Sequence, residues 1–206
     1  MDTNKEVPLY EDYLRLQKKD LASFERANSQ WSQGIYTTVE YLKNLGYFYP
    51  EQLILDCACG DGTSIKALQQ HGMQKVIGVE FNSDKAIVAE ETGCQIFQAD
   101  FHDLNIFMAD VFDVIFSSHS LEHAYNPLLV LKEFHRILSP YGKLIIIVPY
   151  PDYQTNGGHC GRFDLKTDVP DNAQSCAQVF QNAGFVIDRL QPLNVREPEI
   201  LIICHK

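Results

Sequence analysis

Ile54-Leu55-Asp56-Cys57-Ala58-Cys59-Gly60-Asp61-Gly62 is the stretch whose reading decides the fold. With Leu53 before them, Ile54 and Leu55 make an apolar run of the length a buried parallel strand needs. The run stops at an acid, passes small residues, and opens at Thr63 into a helical pattern carried by Ile65, Ala67 and Leu68. Strand, glycine-bearing loop and helix in that order bring backbone to the strand's carboxyl end, where a ligand can approach with no Cβ in the way. A dinucleotide fingerprint needs a third glycine, and Ile65 stands in its place. Asp56 and Asp61 put negative charge on both sides of the loop, which disfavours a pyrophosphate at the helix N-terminus. A ligand with a cationic end and no phosphate fits better.

Working outward, Glu80 closes the next apolar pattern, Val76-Ile77-Gly78-Val79. An acid at the end of the second strand can accept both hydroxyls of a ribose, as its counterpart does in nucleotide-binding α/β folds. Asp100 follows the third strand pattern, and Ser117-Ser118 end the fourth. A polar residue thus ends each of four successive strands, more than helix capping alone predicts.

Four segments in order, D-C-A-C-G-D-G, G-V-E-F-N, Q-A-D-F and F-D-V-I-F-S-S-H-S-L-E-H, resemble the successive motifs of class I S-adenosylmethionine-dependent methyltransferases. The similarity is to the branch that methylates small molecules and runs from about Leu53 to Val148. One departure is Ala58, where the family often has its first glycine. The resemblance implies S-adenosylmethionine as cofactor and S-adenosylhomocysteine as product. Asp56 then lies near the cofactor's amino-acid end, approached by the loop Ala58, Cys59, Gly60 and Gly62. Glu80 holds the ribose, and Phe81 offers an apolar face to adenine. Asp100 with the Phe101 backbone reads the adenine edge, while Ser117 and Ser118 flank the methionine end.

The remaining sequence agrees with one α/β domain over 1–206. Residues 1–50 read as an N-terminal helical cap, with an amphipathic helix over 8–30 and a second helical pattern from Trp31 to Leu45 stopped by Gly46. In the family such helices cover the cofactor and shape the substrate mouth, whereas Trp31 and Tyr36 themselves read first as packing against the sheet. Residues 51–148 form the cofactor-binding core. Its strands are expected at 75–80, 95–99, 112–118 and Leu144–Val148. Its helices are expected from Thr63, over Asp84–Glu91, and from Asn126-Pro127 to Pro140-Tyr141-Gly142. Residues 149–169 read as a substrate loop, and 170–206 as a last helix ending at Gly184 followed by strands 185–190 and 199–204. Strands separated by helices imply right-handed crossovers. The fold expected is a Rossmann-like, doubly wound, mostly parallel seven-stranded sheet with helices on both faces, its last strand antiparallel by the family resemblance.

A net charge of −10 and a sequence pI near 5.1 argue against nucleic acid as a partner. No apolar run approaches the ~20 residues of a membrane span, and the charged N-terminus lacks the apolar core of a signal peptide. Six scattered cysteines, several in apolar patterns, suit reduced thiols in the cytoplasm. No metal is expected.

His119-Ser120-Leu121-Glu122-His123 also spells H-x-x-E-H, an inverted zinc-protease motif that needs a helix and a further acid such as Glu197 or Glu199. Two serines at a strand end precede it and Asn126-Pro127 restarts a helix just after it, so a metallohydrolase is a remote alternative. His119 facing the cofactor cleft and His159 in the substrate loop are the candidate catalytic residues, as bases for the proton an acceptor must lose. The expected function is methyl transfer to a small-molecule acceptor by in-line displacement. A non-catalytic cofactor-binding adaptor is the alternative.

Overall fold

A computed structural model describes residues 30–149, 172–196 and 198–206, together with Glu11, Leu14 and Arg15. The expected helix over 8–30 lies mostly outside the described residues, as does nearly all of the loop at 149–169.

Seven strands and five α-helices make up the described chain. In order they are α1 (Gln30–Asn44), β1 (Ile54–Cys57), α2 (Thr63–Gln70), β2 (Val76–Glu80), α3 (Ser83–Glu90), β3 (Gln95–Gln98), β4 (Phe112–Ser118), α4 (Pro127–Ile137), β5 (Leu138–Pro149), α5 (Asn172–Asn182), β6 (Val186–Asn194) and β7 (Pro198–His205). They form one sheet in the order β3-β2-β1-β4-β5-β7-β6. The first five are parallel to one another, and β7 runs antiparallel to both β5 and β6. This is the Rossmann-like, doubly wound sheet expected, with β7 as its antiparallel strand.

Period-two alternation sorts the strand side chains onto two faces. Leu55, Ile115, Leu144, Ile146 and Ile202 pack with Phe134 of α4 and Phe180 of α5. Ile54, Val114, Phe116, Ile145, Ile147 and Ile203 pack with Val39 and Leu42 of α1 and Ile65 and Leu68 of α2. A sheet covered on both faces needs apolar residues at successive positions, which explains the unbroken Leu144-Ile145-Ile146-Ile147-Val148.

Local chemistry sets where the helices begin. The Asn126 side chain accepts from the Leu129 N–H at 3.1 Å, with Pro127 at the first helical position. Asn82 does the same for α3, accepting from the Asp84 and Lys85 N–H groups. Two boundaries differ from expectation: β6 ends at Asn194 rather than at 190, and β5 begins early. Pro140-Tyr141-Gly142 lies within β5, which starts at Leu138 rather than Leu144. Its pairing with β4 is irregular between Phe112 and Val114, and β7 joins only from Lys143 onward. Pro140 therefore faces no regular ladder partner, and its missing N–H costs nothing there.

The order of strands reverses between β1 and β4, so their carboxyl ends open a crevice at the topological switch point. The candidate residues gather at this edge.

Candidate active site

The loop after β1 is built on left-handed backbone. Ala58 (φ 62°), Gly60 (φ 58°) and Gly62 (φ 79°) all adopt it, which accounts for the family's preference for glycine at the position of Ala58. A Cβ added at Gly60 would meet nothing within 4 Å, so space opens over that backbone. At Gly62 it would press on Thr92 at 2.7 Å and Ala89 at 3.2 Å, so this glycine serves the close packing of α2 on the end of α3. The Cys59 N–H bonds the Val79 carbonyl at 2.9 Å, and its side chain is buried.

Glu80 is fixed by the backbone around it. Its Oε2 accepts from the Gly60 N–H at 2.9 Å and its Oε1 from the Asn82 N–H at 2.8 Å. Each carboxylate oxygen has further acceptor capacity, so the loop holds Glu80 in one rotamer while leaving room for two ribose hydroxyls. Phe81, half-buried, follows directly. The Ala99 N–H bonds the Glu80 carbonyl at 3.1 Å and carries the ladder one step past β3, setting Asp100 beside Glu80. Asp100 Oδ1 accepts from both the backbone N–H (2.9 Å) and ring Nδ1 (2.5 Å) of His102. The Phe101 ring packs edge-on to His102 at 4.8 Å.

Asp56 is buried and accepts from the Ser64 hydroxyl. Burial is the main cause that pushes its carboxyl up from 3.8 to about 7; the Ser64 bond opposes this, and the charges of Glu80 and Asp61 add to it. A raised folded pKa means that the stability gained from neutral Asp56 is complete below about pH 4 and is lost as pH rises through about 7. A cationic ligand favours the ionised form, so its binding expels a proton. S-adenosylhomocysteine, through its ammonium, is expected to bind more weakly as pH falls below 7, by up to about tenfold per unit. Calorimetry at pH 6 in buffers of differing ionisation enthalpy should register proton release in the parent and none in Asp56→Asn. Equal, buffer-independent heats for both would refute the linkage.

At the other side of the crevice, the Ser117 hydroxyl donates to the Cys57 carbonyl at 2.7 Å, tying β4 to β1, and is 2.5 Å from the Ser120 hydroxyl. Ser118 and His119 belong to a second, buried polar group. His119 has left-handed backbone (φ 52°), with its N–H on the Ile147 carbonyl at 2.8 Å. Its Nε2 is 2.7 Å from Glu199 Oε1 and its Nδ1 is 3.6 Å from Glu122 Oε1. Arg196 donates through Nε to the same Glu199 oxygen at 2.7 Å and through Nη2 to Ser118 Oγ at 2.7 Å. The guanidinium lies 4.8 Å over the Trp31 ring, and Trp31 packs edge-on to His119 at 4.7 Å. Burial lowers the His119 pKa to about 4; the Glu199 bond opposes this without overcoming it, and the Arg196 charge adds to the lowering. His119 is thus neutral at pH 7, with its Nε2–H donated to Glu199.

Sequence reasoning placed Asp56, Glu80, Asp100, Ser117 and Ser118 at one sheet edge, and the structure brings them there. Arg196 gave no signal, because it lies in a turn after β6 with no apolar period around it. His102 gave none because one histidine after an acid has many uses. The H-x-x-E-H reading lacks its helix, since Leu121–His123 forms only one 3₁₀ turn. Among the described residues no three His, Cys, Asp or Glu side chains are arranged to hold a metal ion. His159 and Glu197 lie outside the described residues.

Comparison with known proteins gives the site its context. Residues 55–146 match a family described as "Methyltransferase domain". Cycloartenol-C-24-methyltransferase 1 of Oryza sativa subsp. japonica is 24% identical over 155 residues, covering 67% of this chain and 44% of that protein. Ubiquinone biosynthesis O-methyltransferase of Haemophilus ducreyi is 28% identical over 149 residues, covering 63% of each. The chain therefore spans about half to two thirds of the length of these relatives. In fold it is similar to a SAM-dependent methyltransferase from Aquifex aeolicus (TM-score 0.64, 16% identity, 83% of this chain and 90% of that one). It is similar also to the cyclase SpnF (TM-score 0.68, 14% identity, 83% and 81%). Over residues 55–146 the chain matches a methyltransferase domain, and the sheet order around it is that of the class I S-adenosylmethionine-dependent methyltransferase fold.

Proposed function

We propose that this chain transfers the methyl group of S-adenosylmethionine to a small-molecule acceptor with an O, N or C nucleophile. The observation that carries the reading is the row of Asp56 and Glu80 on adjoining strands and Asp100 just past the next, beside open backbone at Gly60. Such a row suits a ligand with a cationic end, a ribose diol and an exocyclic amine. Both curated relatives are named for methylation of small molecules, and the net charge of −10 works against a nucleic-acid acceptor. A cytoplasmic setting agrees with the five described cysteines, all free thiols. Among the described residues no helix is long and apolar enough to cross a membrane. The division into a cap (1–50), a core (51–148), a substrate loop (149–169) and a C-terminal part (170–206) remains the working organisation.

Bound S-adenosylmethionine supplies an electrophilic methyl on a sulfonium sulfur. The residues of this chain orient it: Asp56 faces the amino-acid end, Glu80 fixes the ribose and Asp100 with Phe101 fixes the base. Phe81 covers the ring, while the Ala58–Gly62 loop gives way to the ligand. Ser117 and Ser118 border the methyl-transfer edge. Alignment of nucleophile and methyl then supplies most of the acceleration. Incubation with S-adenosylmethionine and a panel of metabolites, followed by an assay for S-adenosylhomocysteine, tests the reading. Tight cofactor binding with no turnover across a broad panel would favour an adaptor, or another chemistry on this fold, as the cyclase neighbour illustrates.

His119 and His159 are the proposed bases, and the pH–rate profile together with substitution separates them. If His119 takes the acceptor proton, the acidic limb falls near pH 4, following its lowered pKa. If His159 does so, His159→Ala cuts turnover by about 10²–10⁴ and leaves cofactor binding intact. A flat profile from pH 4 to 8 with undiminished turnover in His159→Ala would exclude both.

A further inference from the structure

His102 was not singled out by the sequence, yet it makes a linked set of contacts beneath the adenine-reading acid. We infer that His102 is a positioning residue for adenine recognition, using Nδ1–H to set the rotation of the Asp100 carboxylate and Nε2 to anchor that pair to the start of α4. The inference deepens the proposed cofactor site and rests on Asp100 reading the adenine edge.

The geometry fixes the histidine's tautomer. The Asn126 backbone N–H points at His102 Nε2 from 3.1 Å, so that nitrogen accepts and carries no proton. The remaining proton is on Nδ1, which is 2.5 Å from Asp100 Oδ1. The same oxygen takes the His102 backbone N–H at 2.9 Å. A carboxylate held at one oxygen by two donors from different directions cannot turn about its terminal bond without breaking one of them. The ring is itself enclosed, His102 being 7% exposed and packed against Phe101, whose backbone is the other proposed reader of the base. Both groups that would face the adenine edge are thus registered by one imidazole. That imidazole is seated on Asn126, the cap residue of α4. Recognition of a 6-amino group depends on an acceptor fixed in the plane of the base, and a freely rotating carboxylate would discriminate less.

Two substitutions divide the histidine's functions. An asparagine amide overlays Nδ1, and a glutamine amide overlays Nε2. His102→Asn keeps a donor to Asp100 and gives up Asn126; His102→Gln does the reverse. The readout is the ratio of dissociation constants for S-inosylhomocysteine, which carries a 6-oxo group, and S-adenosylhomocysteine, measured on the same preparation so that any unfolded fraction cancels. His102→Asn is expected to hold the parent ratio within about threefold, and His102→Gln to lower it by about tenfold or more, the scale of a hydrogen bond to a charged group. Equal ratios in both, or the larger loss in His102→Asn, would overturn the inference. Asp100→Ala keeps the two failures apart. If it lowers the ratio while the histidine variants do not behave as stated, the role of His102 alone falls. If it leaves the ratio unchanged, the adenine-reading assignment of Asp100 falls and the role of His102 falls with it.

Discussion

Arg196→Ala is expected to destabilise the protein by about 3–5 kcal/mol, the usual cost of stripping one partner from a buried ion pair. Arg196 and Glu199 have side chains only 2% and 0% exposed, so neither charge is relieved by water. Among the described residues, loss of the guanidinium leaves Glu199 with His119 as its hydrogen-bond partner, and burial keeps that histidine neutral. It also removes the donor to Ser118 and the cation stacked on Trp31. Arg196→Lys should recover only part of the loss, because one ammonium cannot reach Glu199 and Ser118 together while lying flat on an indole. Gly34→Ala should act on the same group, since its Cβ would fall 2.1 Å from Arg196 Cγ. Denaturant unfolding measures all three. A cost below about 1 kcal/mol for Arg196→Ala, the level of an exposed pair, would show that the group does not hold the fold together.

Glu80→Ala should weaken S-adenosylhomocysteine binding by about 1.5–3 kcal/mol, the worth of hydrogen bonds from neutral donors to a charged group. From the sequence alone such a change would leave stability nearly intact. The structure alters that expectation, because Glu80 also receives the Gly60 and Asn82 N–H groups. Orphaning partly buried donors costs about 1–3 kcal/mol, so a stability loss of that order should accompany the weaker binding. Glu80→Gln separates the two effects. Its amide retains one acceptor for the loop but presents a donor to the other N–H and to one ribose hydroxyl, so affinity should fall nearly as far while stability recovers in part. Calorimetry and unfolding on the same preparations provide the check, and undiminished affinity in both variants would remove Glu80 from the site.

What was legible in the sequence follows the range of the interactions. Apolar runs at Ile54, Val76 and Leu144 report burial on both faces, a local property, and so gave the sheet. Asp56, Glu80 and Asp100 were legible because each lies at or just past the carboxyl end of a strand pattern, and parallel strands bring those ends to one edge. Pro140 misled because a proline beside a glycine signals a break, whereas here the neighbouring strand is irregular and asks for no hydrogen bond. The contacts of His119 with Glu199 and of Ser118 with Arg196 join residues 80 and 78 positions apart, and no periodicity encodes them. The placement of His102 under Asp100 is a matter of side-chain rotamer, which pattern reasoning does not reach.

The position of β7 between β5 and β6 has a bearing on biosynthesis. As the chain leaves the ribosome, β1 to β5 can pair with one another as they emerge, so the row of acids at their ends is assembled early. β6 then appears with no neighbour in the sheet and must wait for a strand made after it. Arg196 and Glu199 arrive with the β6–β7 hairpin, and only then does His119 gain the hydrogen bond to Glu199. The nascent chain therefore assembles the row of Asp56, Glu80 and Asp100 before the group around His119, and an interrupted translation product ending before β7 would carry the first without the second.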